Sequence, residues 1–106
     1  MNIYNGIKQN DGTPRVFCNG ARFSPRRSQQ FRNHSPDGFN WGYSGSGPAQ
    51  LAIALLLNEE LPIEHYQEFK ARVVNALPDA EWTLTGDFIK EQLQIVMGVS
   101  HESDSN

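Results

Sequence analysis

The chain carries a single cysteine, Cys18, in 106 residues, so no internal disulfide can staple it. That scarcity points to a reducing, cytoplasmic setting, and Cys18, in an expected strand, reads as a small packing residue and not as a reactive thiol. Lysine is scarce too, at Lys8, Lys70 and Lys90 alone. With a net charge of −3, this argues against strong nonspecific binding to DNA. No apolar run approaches the roughly twenty residues that cross a bilayer. Met1-Asn2-Ile3-Tyr4-Asn5-Gly6 lacks the basic-then-apolar pattern of a signal peptide. Neither export nor membrane insertion is expected. His65 and His101 have no second ligand at metal spacing, so neither a zinc site nor any other cofactor is expected.

What is present suits one folded unit. The length fits a single globular domain over residues 1–99 with a polar, frayed and disordered tail at 100–106. Apolar residues make up 38% and charged residues 20%, the balance of a globular and not a disordered chain. Charge is split along the sequence. Residues 1–50 carry Lys8, Arg15, Arg22, Arg26, Arg27 and Arg32 against Asp11 and Asp37, a balance of +4. Residues 51–106 carry Lys70, Arg72 and Lys90 against ten acids, a balance of −7. Either the basic half forms a face that attracts phosphate or an acidic protein, or the two halves neutralise each other across their interface.

Strands come first and helices afterwards. Ile3–Lys8 and Arg15–Cys18 read as strands separated by the turn signal Asn10-Asp11-Gly12. Asn19-Gly20 is a two-residue hairpin signal, because both positions must tolerate positive φ, and Ala21-Arg22-Phe23 is the return strand. Pro14 stands at the start of the middle strand, where it breaks no central ladder. Ser24-Pro25 predicts a cap and a first-turn proline for a short helix through Phe31. Pro48 suits the first turn of a helix over Ala49–Leu57 that is apolar all round and therefore buried. Leu61-Pro62 opens a third helix with Tyr66, Phe69, Val73 and Leu77 on one stripe, ended by Pro78. Trp82 and Leu84 alternate with polar neighbours in a short extended segment. Thr85 caps a last helix that buries Ile89, Leu93 and Val96 and stops near Gly98. The fold class is α+β: a small N-terminal antiparallel meander packed on a buried central helix and two amphipathic helices.

Candidate chemistry concentrates in the aromatic, glycine-spaced loop that runs from His34 into the apolar helix. Tyr43, Ser44, Gly45, Ser46 and Gly47 put backbone N–H groups and hydroxyls at a helix N-terminus, where an anion could bind. The loop lacks the lysine and threonine of a P-loop and the glycine placement of a dinucleotide fingerprint. The competing structural reading makes these glycines close-packing positions around Trp41 and Tyr43, with Ser46 or Gly47 capping the helix. His34 and Asp37 with Ser44 or Ser46 could compose a triad, but a short loop rich in these residues yields such triples by chance. Arg26, Arg27 and Arg32, near Phe31 and Trp41, could touch phosphates or simply form a solvated face.

The run from Arg32 to Ala52, with Tyr66-Gln67-Glu68-Phe69-Lys70 and Trp82-Thr83-Leu84-Thr85 after it, resembles a family of small uncharacterised proteins of bacteria, phages and plasmids. That family is catalogued as a domain of unknown function, and the likeness spans residues 3 to 95. Its pattern usually has glycine where this chain has Ser44. The resemblance implies no catalytic residues; a phage or plasmid setting implies an accessory protein acting on host machinery such as an immune system. The expected function is therefore a non-enzymatic, protein-binding protein using the basic half and the 34–47 loop. A nucleotide or phosphate-ligand binding protein or weak enzyme is the alternative, and a nucleic-acid accessory protein the third.

Overall fold

Alternation along Ile3–Lys8 (β1) decides the architecture: Tyr4 and Gly6 are buried, whereas Ile3 and Ile7 are exposed on the other side. In the computed structural model, which describes residues 1–98, β1 is a central strand. It pairs antiparallel with Pro14–Cys18 (β2), setting Tyr4 opposite Cys18 and Ile7 opposite Arg15. Asn19 and Gly20 take φ of 54° and 86°, as the hairpin signal requires, and lead into Ala21–Arg22 (β3).

The meander gains a fourth strand from the far end of the chain. Glu81–Thr85 (β4) docks antiparallel on the other edge of β1, giving the order β3-β2-β1-β4. The short extended segment expected around Trp82 and Leu84 is thus a member of the sheet. Without it, β1 would leave a row of backbone groups unpaired.

Among the described residues four helices, Arg26–Phe31 (α1), Ser46–Asn58 (α2), Tyr66–Arg72 (α3) and Gly86–Val96 (α4), supply the rest of an α+β fold. Residues Gly47 to Leu56 of α2 are buried without interruption, so this helix forms the centre of the core with Tyr4, Val16, Trp82 and Leu84 from one sheet face. It begins earlier than Pro48 suggests, because Gly45 is its N-cap and no side chain caps it; neither Ser46 nor Gly47 has that task. It ends in a Schellman motif, with Glu60 N donating to Leu57 O (3.0 Å) and Leu61 N to Leu56 O (2.9 Å).

The third helix is shorter than its apolar stripe implies. Leu61–His65 is spent leaving α2, and Tyr66 N closes a turn onto Ile63 O at 3.1 Å before α3 starts. Val74–Ala76 is a separate 3-10 turn and Leu77 is extended, so Val73 and Leu77 do not continue α3. Thr85 does cap α4, its Oγ1 accepting from Phe88 N at 3.1 Å. Cys18 is half-buried at the end of β2 and packs against the core. Lys8 Nζ meets Asp79 Oδ1 at 2.6 Å, one point where the basic and acidic halves touch. The expected 100–106 tail, with His101, lies outside the described residues.

Candidate functional site

The loop between α1 and α2 is organised by one buried amide. Gln50 is fully buried in α2, and its Oε1 accepts from His34 N (2.8 Å) and Ser35 N (2.9 Å). Its Nε2 donates to Ser28 Oγ (2.9 Å) and Arg32 O (3.0 Å). All four hydrogen-bonding valences are used, so the amide fastens the segment from Ser28 to Ser35 onto the central helix with its desolvation offset by hydrogen bonds. This hub went unremarked in the sequence, although a lone amide in an otherwise apolar helix is a legible signal.

The aromatic half of the loop is equally structural. Trp41 is fully buried, its Nε1 donating to Asp79 O at 3.0 Å and its ring meeting Trp82 edge-on at 5.4 Å. Gly42 donates to Val74 O at 3.1 Å with a φ of 83°, and a Cβ there would also press on Leu77 O. Gly47 is buried against Asn40, whose Cβ would lie 2.6 Å from any Cβ at that glycine. The fully buried Trp41 side chain therefore offers no surface to a partner, which corrects its place among the contact residues, and Gly47 is closely packed where it lines the cleft at the start of α2. Much of the Trp41-to-Gly47 run builds the start of α2.

What the loop displays is Tyr43, Ser44 and Ser46, exposed, with Gly45 partly so. Tyr43, Ser46 and Asp37 line an open cleft of about 460 Å³ at the N-terminus of α2, closed on its far side by Asp11 of the β1–β2 turn. Asp11 is held below the ordinary carboxylate value by hydrogen bonding from Thr13, so the cleft presents two carboxylates near the helix end. That charge opposes a phosphate.

His34 takes no part in that cleft. Its Nε2 lies 2.7 Å from the Tyr66 hydroxyl, which Gln67 Nε2 also approaches at 3.0 Å, so the partner of this histidine is a tyrosine and not a member of the triad the sequence already discounted. Burial first, then the charges of Arg32 and Lys70, lower the His34 pKa below its usual value. Among the described residues no three His, Cys, Asp or Glu side chains group as metal ligands.

The arginines go elsewhere. Arg27 flanks a crevice with Phe23, Leu57 and Asn58 at the C-terminal end of α2, some ten residues and roughly 15 Å along the helix axis from Ser46. Arg32, with Phe31, Ile63, Glu64 and Tyr66, lines a broad groove of about 540 Å³ between α1 and the chain entering α3. Arg27 and Arg32 thus line crevices separate from the cleft at the α2 N-terminus, although Arg32 stays near His34 and Lys8 Nζ lies 5.5 Å from the centre of the Trp41 ring. Phe31, which the sequence sets beside the arginines, is 49% exposed; Ile63 was not singled out from sequence, because an apolar residue in an amphipathic segment gives no sign of which side is covered.

Among the described residues no helix is long and apolar enough to cross a membrane. No curated protein and no solved structure matches the chain. A family model does match, over residues 4–95, which spans the sheet, the loop and nearly all of α4. The chain belongs to DUF6166, a family of unknown function.

Proposed function

We propose that this is a non-enzymatic protein-binding protein whose contact surface is the groove beside α1. The observation that carries this reading is Phe31, exposed next to Arg32 and backed by Ile63 and Tyr66. Aromatic and arginine side chains together are the composition that concentrates binding energy in protein interfaces. Arg26, Arg27 and Arg32 are all exposed, and none of them is in an ion pair among the described residues. The partner that suits them is an acidic protein surface offering one apolar side chain to Phe31. The resemblance to proteins of phages and plasmids makes a host complex, a defence assembly among them, the partner class this reading favours.

The test is capture from bacterial extract followed by titration of the purified partner against wild type and the Phe31→Ser/Arg32→Glu variant. A loss of at least tenfold in affinity with an unchanged melting curve supports the reading. Equal binding by the variant removes this surface from consideration. Phosphate or nucleotide binding at the α2 N-terminus has less support, because Asp11 and Asp37 share that cleft. Nucleic-acid binding has less still, since the chain carries a net charge of −3 and only three lysines.

A further inference from the structure

The helices cover one face of the sheet, and the other carries a self-complementary pattern. Across β2, β1 and β4 one row reads Arg15, Ile7, Glu81, since Ile7 stands opposite Arg15 on one side and Glu81 on the other. The next row reads Phe17, Asn5, Thr83, tied by Asn5 Nδ2 donating to Thr83 Oγ1 at 2.8 Å. Ile3 follows on β1 beside Thr85. The central strand thus shows water a spine of two isoleucines, Ile3 at 43% and Ile7 at 41% exposure, with a cation along one flank and an anion along the other.

From this we infer that the open sheet face is a homodimer interface built on a twofold axis running along β1. Rotation by 180° about such an axis exchanges the flanks while leaving the middle strand on itself. It sets Ile7 on Ile7, Ile3 on Ile3 and Asn5 on Asn5, and it sets each Arg15 against the Glu81 of the second copy, twice over. A two-sided charge pattern with an apolar midline satisfies an isologous contact, in which one patch must complement itself. Tilting β1 by roughly 15° from the axis also accommodates the crossing of about 30° at which twisted sheets stack.

The area sets the strength. Three paired strands of five residues make a footprint of roughly 17 by 15 Å. That is small beside the ~800 Å² of accessible surface each partner of a stable complex buries. The dimer is therefore weak and concentration-dependent, and the two charge pairs at the rim determine its geometry more than its affinity.

Sedimentation equilibrium over a hundredfold concentration range reaching about 1 mM would follow it. Wild type should shift from monomer to dimer. Arg15→Glu and Glu81→Arg should each raise the dimer dissociation constant at least tenfold, because each places like charges opposite one another twice. Mixed in equal amounts, the two variants should form a heterodimer at least as tight as wild type, since the mixture restores both pairs. Wild type that stays monomeric throughout overturns the inference. So does a mixture no more associated than its components, while matching circular dichroism of both variants keeps misfolding out of that outcome.

Discussion

The indole of Trp82 occupies the space where Gly6 would otherwise carry a side chain: a Cβ built on Gly6 overlaps the ring. The two residues are cross-strand partners on β1 and β4, so a glycine in the middle of a central strand is required by the tryptophan of its neighbour. Trp82 in turn meets Trp41, and the glycine thereby seats the aromatic pair that joins the sheet to the start of α2.

Gly6→Ala should accordingly destabilise the protein by about 3 kcal/mol, at the upper end of the cost of overpacking a core. Urea denaturation measures this. The double variant Gly6→Ala/Trp82→Leu should lose less than the sum of the single losses, because the clash disappears with the ring. Strict additivity would mean that the two side chains do not compete for one space.

Gln50→Leu keeps the volume and removes four hydrogen bonds at once. The N–H of Ser35 would lose its partner, and the N–H of His34 and the carbonyl of Arg32 would keep only their mutual bond at 3.2 Å. A cost of about 3 kcal/mol or more follows from leaving several polar groups unsatisfied. Amide exchange at His34 and Ser35 should rise well beyond the global effect. Unchanged protection there would mean that the loop holds its shape without the amide.

Glu60 sits at φ 58°, the left-handed position of the Schellman motif that ends α2, and is exposed. Glycine adopts that conformation without the Cβ penalty. Glu60→Gly should stabilise by about 0.5–1 kcal/mol, the relief of strain exceeding the added freedom of the unfolded chain. A lowered urea midpoint would contradict this.

His34 is held below its ordinary value of 6.5 by burial and by the nearby Arg32 and Lys70 charges. The unfolded chain therefore takes up a proton at higher pH than the folded one. The stability this histidine contributes is complete above about pH 6.5 and is lost as pH falls from there through the lowered folded value. Urea midpoints between pH 7.5 and pH 5 should fall for wild type and fall less for His34→Asn. Parallel profiles would assign the acid sensitivity to other groups.

Trp41 has no exposed surface. In a Trp82→Phe background its fluorescence should resist an added quencher, approaching the free-indole response only on unfolding. Strong quenching in the folded state would return Trp41 to the set of contact residues.

Elements with local causes were legible in the sequence. Asn19-Gly20 demands positive φ at two adjacent residues, Thr85 offers a hydroxyl one residue ahead of α4, and the apolar run after Pro48 leaves no face for water. Each signal is written within a few residues. The α3 stripe misled for the same reason: its period continues past Arg72, but the backbone had to turn to bring Val74 O to Gly42. Periodicity records burial and not the path between buried residues.

By itself, then, the sequence determined the class of fold, the hairpin, the capped last helix and the burial of α2, all consequences of side-chain period and backbone preference over short spans. Only the tertiary structure decided that β4 joins β1, that Trp41 lies inside, and that Gln50 anchors the loop. It also decided that Arg27 and Arg32 line crevices other than the cleft at the start of α2. These depend on contacts between residues as far apart as Gly6 and Trp82 or Trp41 and Asp79, whose meeting follows from the closure of one shared core and not from any local preference.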